Sequence, residues 1–311
     1  MVHSLLRLFA AGLIFAAGID SRPAAAQTPP SPASLAAQPP SFSQELLLFK
    51  DREIKFRLQS LMALLRDRNH EGWVLAAYPD PNTGLPLIGA GFSLNLDATG
   101  HPQDDPLNPD PFFEPSSAEL WQAAGLDPQR LRQILEDFDR NMEAWGTTGY
   151  RRRIRTHRLQ PQLSEQEAMR LLRVSTIQSV LNARAYCRNF DRLSGPAQMA
   201  LSQLSFQMGV NLEKFVEFLS ELNGDTSHRD LSRPDQGSLG VDDAEHWRNV
   251  QTTLVDSQWA RRYTVRAITV IAMFDPEYEK NPRAAEARIA AVLRPPAAVH
   301  HRRASAHHAA R

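Results

Sequence analysis

The 311-residue chain has one cysteine, Cys187, so no disulfide can form within it. A lone cysteine in Ala185-Tyr186-Cys187-Arg188 is predicted to be a small packing residue. The alternative, a nucleophile, would need a nearby base, and His157 is the one candidate for that base. The cysteine content therefore excludes a disulfide scaffold and does not favour thiol chemistry.

The chain also lacks an excess of either charge. Lys and Arg total 35, and Asp and Glu also total 35. A balanced chain gives no electrostatic sign of a nucleic-acid partner, so none is predicted. Hydrophobic residues make up 42% of the chain, which is enough for one or two globular domains with a real core.

The N-terminus has the pattern of an export signal. Arg7 precedes the apolar run Leu8–Ile19, and the small residues Ala24-Ala25-Ala26 follow it. The run is too short for a comfortable membrane span, although a retained weak anchor remains the alternative. We therefore expect a signal peptide over 1–26, a periplasmic or secreted protein, and no stable membrane insertion. Residues 27–43, rich in Pro, Ala and Ser, are predicted to be a linker.

The remaining chain predicts an α+β domain over residues 44–290. Apolar residues at helical spacing over 44–70 predict amphipathic helices that lead to Glu71. Residues 71–95 predict a small β-hairpin or meander, with one glycine-punctuated strand over Leu87–Phe92. Helices are predicted from 118 onward, and a cleft is expected between this helical lobe and the small N-terminal lobe.

Three stretches of the chain are not assigned to these elements. An insertion over about 97–160 opens with a Pro/Asp loop at 97–117, which is expected to be a flap or a disordered segment. Residues 225–241 predict a polar loop. Residues 291–311 predict a disordered His/Arg/Ala tail.

Helix starts are marked by capping residues. Asp127-Pro128, Ser164 with Glu167, and Ser194-Gly195-Pro196 each combine an N-cap side chain with a favourable first turn. Gly209 is predicted to end the helix that begins near Ser194.

Glu71 and Asp80 form the acidic pair on which the chemical prediction depends. Glu71 stands before Trp73 and Val74, whereas Asp80 lies in the turn Tyr78–Gly84. Glycoside hydrolysis needs one protonated carboxyl group at the leaving oxygen and a second that attacks the sugar or activates water. An apolar setting raises the pKa of the first, and a wet turn leaves the second ionised. We expect the two groups on opposite sides of one sugar.

Several motifs together resemble the phage-type lysozymes, glycoside hydrolase family 24. They occur in the family's order over roughly residues 60–95 and 160–276. The motifs are Glu71-Gly72 with Tyr78-Pro79-Asp80-Pro81-Asn82-Thr83-Gly84, Ile88-Gly89-Ala90-Gly91, Leu163-Ser164-Glu165-Gln166-Glu167-Ala168, Phe206-Gln207-Met208-Gly209, and Ser257 followed by the pattern of Trp259, Arg266, Ala267, Val270, Ile271 and Phe274. The resemblance implies a lysozyme-like α+β fold.

The resemblance also implies a function and a set of site residues. The activity would be hydrolysis of the N-acetylmuramic acid to N-acetylglucosamine bond of peptidoglycan by a monomer, without cofactor or metal. Glu71 would be the general acid and Asp80 the carboxylate that positions or activates water. The sugar groove would be lined by Gly91, Phe206 and Gln207 and supported by Arg266, which could orient Glu71. Gly91 could instead be only a strand glycine, and Phe206 a core residue. Gln207 could be a helix cap, and Arg266 half of a surface ion pair.

Two positions depart from the family pattern. Leu87 replaces the Thr whose hydroxyl helps to hold the attacking water, and Thr83 lies in the turn rather than on the strand. Phe92 and Ser175 replace a His and an acid that pair in some relatives, so neither charge is left alone. These departures keep two alternatives open: a glycan cleaver that forms an anhydro sugar without water, as lytic transglycosylases do, and an inactive peptidoglycan-binding module.

Other charged segments give weaker signals. Asp104, Asp105 and Asp110 do not have the spacing of a calcium loop. The run Arg151-Arg152-Arg153 with Arg155 is predicted to be a solvated face that could meet anionic wall polymers. The terminal His300, His301, His307 and His308 could bind metal or touch the envelope, although no role is the simplest expectation.

Overall fold

The computed structural model describes Leu46 and residues 48–67, 71–101, 112–224 and 244–294. The predicted signal segment, the linker, the loop at 225–241, the terminal histidines and Asp104, Asp105 and Asp110 lie outside the described residues. By their contacts, all described residues belong to one unit.

Residues 74–93 form a three-stranded antiparallel sheet in the order β1-β2-β3. The strands are β1 (Val74–Pro79), β2 (Pro86–Gly89) and β3 (Phe92–Ser93). The predicted meander is therefore confirmed, but the single strand predicted over Leu87–Phe92 is wrong. A tight turn at Ala90-Gly91 divides it, with φ of 66° at Gly89 and 75° at Gly91, values that glycine adopts without steric cost.

A second antiparallel pair, β4 (Thr99–His101) and β5 (Phe112–Glu114), lies inside the segment predicted as a loop. The register pairs Thr99 with Glu114 and Gly100 with Phe113. Strands of three residues flanked by Pro and Asp have too little periodicity to be recognised in the sequence.

Helices make up most of the described chain. They are α1 (Leu58–Arg66), α2 (Ser117–Ala123), α3 (Pro128–Arg155), α4 (Glu165–Tyr186), α5 (Gly195–Met208), α6 (Val216–Asn223), α7 (Ala244–Val255), α8 (Gln258–Arg262), α9 (Thr264–Ala272) and α10 (Pro282–Leu293). Short 3-10 turns occupy Asp51–Glu53, Phe190–Arg192 and Gly209–Lys214. The protein is thus a mixed α+β structure, mostly helical, with a small antiparallel sheet. Helix α10 ends at Leu293, inside the segment predicted as tail.

The predicted helix caps are confirmed. Ser164 accepts from the backbone N–H of Glu167, whose carboxylate in turn accepts from the N–H of Ser164. Asp127 caps α3 by accepting from the N–H of Gln129, and Ser194 caps α5 by accepting from the N–H of Ala197; each is followed by proline in the first turn. Gly209 ends α5 with φ of 49°. These local bonds fix where the helices begin and end, independently of the tertiary contacts.

Helix α4 is the centre of the core. More than half of its residues are buried, and it packs against α5, α1, α2 and the two sheets. Cys187 follows its C-terminus, is fully buried, and has its thiol pKa raised to about 12 by that burial. The packing role predicted for Cys187 fits this environment, because a neutral thiol is a poor nucleophile.

Candidate active site

The position of Glu71 is set by the backbone that follows α1. The N–H of Glu71 donates to Leu65 O at 3.2 Å, and the N–H of Gly72 donates to Asp67 O at 3.1 Å. These bonds satisfy the free carbonyls at the C-terminal end of the helix, with Gly72 at φ of 81°. The helix itself ends at Arg66, so Glu71 lies in the connection to β1 rather than in the last helical turn.

The side chain of Glu71 forms an ion pair with Arg266 of α9. Arg266 Nη1 donates to Glu71 Oε1 at 2.7 Å, and the two side chains are 3% and 20% exposed. Of the alternatives for Arg266, pairing with a surface acid is therefore wrong, and contact with Glu71 is confirmed. Because a buried guanidinium needs a compensating charge, Glu71 and Arg266 hold each other in place.

Burial raises the pKa of the Glu71 carboxyl above its ordinary value of 4.5. Arg266 lowers that pKa by its charge and its hydrogen bond, and the charge of Asp80 raises it again. Desolvation is the largest of these effects, so the protonated form is favoured over a wider pH range than in an exposed glutamate.

Gly91 lies against the other oxygen of this carboxyl group. A Cβ atom built on Gly91 would lie 3.1 Å from Glu71 Oε2, and the residue has φ of 75°. A side chain there would be strained and would crowd the carboxyl group. Glycine therefore leaves Oε2 accessible while Oε1 is bound to Arg266.

Asp80 is held by the turn between β1 and β2. Its N–H donates to Leu85 O at 2.8 Å, and its Oδ1 accepts from the N–H groups of Asn82 and Thr83, both at 2.7 Å. This Asx turn explains why Asp suits the position. Oδ2 accepts no hydrogen bond from the described residues and is left for a water or a ligand.

Tyr78 lies near both carboxyl groups and is affected by the charge of each. Burial raises the pKa of its phenol, and the negative charges of Glu71 and Asp80 raise it further. Both charges can act on Tyr78 only if they lie close to it, and all three residues line the same cavity. The phenol of Tyr78 therefore stays neutral and keeps its proton at ordinary pH.

All six residues predicted from the sequence line one cavity of about 670 Å³. They are Glu71, Asp80, Gly91, Phe206, Gln207 and Arg266. The cavity lies where the sheet faces α4, α5 and α9, and its volume is in the range of small-molecule sites. Gln207 is held there by Trp259, whose Nε1 donates to Gln207 Oε1 at 2.9 Å.

The two departures from the motif pattern also line this cavity. Leu87, Phe92 and Ser175 all belong to its lining, and the Ser175 hydroxyl donates to Leu171 O of its own helix at 2.8 Å. Thr83 does not line the cavity; its Oγ1 accepts from the N–H of Leu85 in the turn.

Ser93 is a site residue that the sequence analysis missed. The β2–β3 register pairs Leu87 with Ser93, so the two side chains lie on the same face of the sheet, and both line the cavity. Only the register of β2 and β3 identifies Ser93 as the neighbour of Leu87. This could not be derived from the sequence, because β2 and β3 were predicted as one strand.

A basic rim adjoins the turn that carries Asp80. Arg151 of α3 donates to Pro81 O at 3.3 Å, and Arg262 of α8 donates to Asn82 Oδ1. Helix α3 is kinked at Gly146, and Arg151, Arg152 and Arg155 beyond the kink are exposed. The predicted solvated face is confirmed, and one of its arginines also supports the turn.

Comparison with known proteins assigns no family. Neither the protein-family models nor the curated proteins match the chain. Among the described residues, no helix has the length and apolar character to span a membrane. No group of three or more His, Cys, Asp or Glu side chains in these same ranges is arranged to hold a metal ion.

Proposed function

We propose that the protein is an exported muramidase with a lysozyme-like fold, which hydrolyses the N-acetylmuramic acid to N-acetylglucosamine bond of peptidoglycan. The observation that carries the proposal is the setting of Glu71. It is a carboxyl group with a raised pKa, held by a buried arginine and open to a cavity that a second, turn-bound carboxylate also lines. Two carboxyl groups in such contrasting settings suit glycoside hydrolysis.

Glu71 acts as the general acid. Since Oε1 accepts from Arg266, the transferable proton sits on Oε2, the oxygen beside Gly91. Proton donation from Oε2 to the glycosidic oxygen lets the leaving sugar depart as an alcohol. Arg266 then stabilises the carboxylate that remains, and a water later restores the proton.

Asp80 holds the attacking water through Oδ2, because Oδ1 is occupied by the turn, and accepts a proton from that water as its oxygen bonds to the anomeric carbon. Ser93 supplies the hydroxyl that Leu87 lacks on the same face of the sheet. A water bound between a carboxylate and a hydroxyl is oriented and made more basic, which favours hydrolysis over formation of an anhydro sugar.

Leu87 and Phe92 motivate the second candidate. Both residues line the cavity, and neither side chain can hold an attacking water by a hydrogen bond. A cleaver that forms an anhydro sugar needs Glu71 alone as acid and base, and a binding module needs neither carboxyl group. The raised pKa of Glu71 favours either cleavage reaction over binding alone, and Ser93 favours the hydrolase over the anhydro-sugar route.

The test is the release of reducing ends from purified peptidoglycan by the full chain. The muramidase releases them, the fragments carry one added water by mass spectrometry, and Glu71→Gln abolishes release. Asp97→Asn, at an exposed acid on the cavity wall, serves as the matched control and leaves activity within about twofold. Equal activity in Glu71→Gln would refute the mechanism. Anhydro products would replace it with the transglycosylase reaction, and bound but uncut glycan would leave the binding module.

A further inference from the structure

A row of polar side chains extends the cavity away from the acidic pair. Asn182 Nδ2 donates to Glu114 Oε1 at 3.1 Å, and Gln178 Nε2 donates to Asn182 Oδ1 at 2.6 Å. Ser205 of α5 lies one turn before Gly209, whose built Cβ would be 3.7 Å from Glu114 Oε1, and the four polar residues all line the cavity. The row therefore joins β5, α4 and α5 at one part of the cavity wall.

The carboxylate of Glu114 fixes the direction of these hydrogen bonds. A carboxylate only accepts, so Asn182 must present its NH₂ group to Glu114 and its oxygen to Gln178. Gln178 must then present its own NH₂ group to Asn182, which leaves Gln178 Oε1 as an acceptor. That oxygen and Ser205 Oγ have no partner within the described residues, although the two side chains are only 5% and 3% exposed.

Unsatisfied polar atoms at such depth are costly, at about 1–3 kcal/mol each. A native structure retains them where a water or a ligand supplies the missing bond. Because Gln178 can only accept at this oxygen and Glu114 only accepts, the missing partner must be a hydrogen-bond donor.

The local charge favours a cation as that donor. A Cβ atom built on Gly209 would lie 3.7 Å from Glu114 Oε1, so the carboxylate lies near the C-terminal end of α5. A helix C-terminus carries partial negative charge. The described cavity wall has four carboxyl side chains and one guanidinium, that of Arg266, which is paired with Glu71.

We propose that this row binds an ammonium group of the substrate, with Glu114 as the counter-ion and Gln178 and Ser205 as further contacts, direct or through a water. The inference rests on the proposed glycan site. Two parts of peptidoglycan can carry such a group: a glucosamine unit without its acetyl group, or the free amine of a diamino acid in the stem peptide.

The test is binding, measured by calorimetry with the full chain carrying Glu71→Gln so that no glycan is cut. The probes are the tetramers of glucosamine and of N-acetylglucosamine. Glu114→Gln is expected to weaken the glucosamine tetramer about tenfold, the effect of losing one charge-assisted hydrogen bond. The acetylated tetramer should change less than twofold. Asp97→Asn is the control for the general negative charge of the cavity; it should weaken the glucosamine tetramer less than Glu114→Gln does and leave the acetylated tetramer unchanged.

A second pair of probes separates the sources of the amine. A stem peptide with a free diamino acid side chain is compared with the same peptide acetylated at that amine. Charge-dependent binding of either the sugar amine or the peptide amine supports the inference and identifies the source. Equal binding of both members of each pair, or equal losses in Glu114→Gln and Asp97→Asn, overturns it. Ser205→Ala repeats the test without altering the charge and should weaken the amine probe alone.

This outcome is independent of catalysis. Amine binding that depends on Glu114, together with no release of reducing ends by the wild-type chain, would leave the inference standing and refute the muramidase. Cleavage by the wild-type chain, with no preference for the amine probes, would support the muramidase and refute the inference.

Discussion

Replacing Gly91 by alanine tests whether the cavity holds Glu71 as described. The new Cβ atom would lie 3.1 Å from Glu71 Oε2 and 3.6 Å from its Cβ and Cδ atoms, at a residue with φ of 75°. Alanine in the left-handed region costs about 1–2 kcal/mol. The contact with Oε2 is tight enough to move the carboxyl group by a few tenths of an ångström.

Gly125→Ala is the matched control, because Gly125 has φ of 70° and nothing within 4 Å of the built Cβ. Both variants should therefore lose about 1–2 kcal/mol of unfolding free energy, which lowers the melting temperature by roughly 2–8 °C. Only Gly91→Ala should also lose activity, by about tenfold, since a displaced acid no longer meets the leaving oxygen.

The assay pairs thermal unfolding with reducing-end release from peptidoglycan. If Gly91→Ala melts like Gly125→Ala yet keeps full activity, the carboxyl group does not work beside Gly91 and the reasoning is refuted. Inactivation of Gly125→Ala to the same degree would show that lost stability alone accounts for the effect.

Three further predictions concern the groups around the acid. Arg266→Met removes the charge that lowers the pKa of Glu71. The alkaline limb of the pH profile of kcat/KM should therefore move to higher pH, and an unmoved limb would contradict the ion pair. The melting temperature of Glu71→Gln relative to wild type should rise between pH 4 and pH 7, because a raised folded pKa makes the wild type lose stability as Glu71 ionises, whereas the cost of unpairing Arg266 in the variant does not change with pH; a difference that moves the other way would contradict the raised pKa. Trp259→Phe removes the donor that orients Gln207 and should raise KM several-fold with kcat nearly unchanged, whereas loss of kcat alone would contradict a binding role.

Much of the local structure could be predicted because short-range chemistry determines it. Ser164 with Glu167, Asp127-Pro128 and Gly209 each mark a helix end through bonds made within a few residues. The gathering of Glu71, Arg266 and Gln207 in one cavity was expected only from the order of the motifs, since no spacing in the sequence specifies a contact across 195 residues.

What could not be predicted depends on tertiary register. The turn at Ala90-Gly91 makes Ser93 the neighbour of Leu87, and an apolar run cannot be divided into two strands by periodicity alone. The bond between Glu114 and Asn182 joins residues that no motif connects. The departure at Leu87 was visible in the sequence, but the hydroxyl opposite it was not.

The most direct measurement is the pH profile of reducing-end release from peptidoglycan by the full wild-type chain. The account predicts release with an alkaline limb whose midpoint lies above 4.5, as the raised pKa of Glu71 requires. No release at any pH, or a limb at or below 4.5, would contradict it.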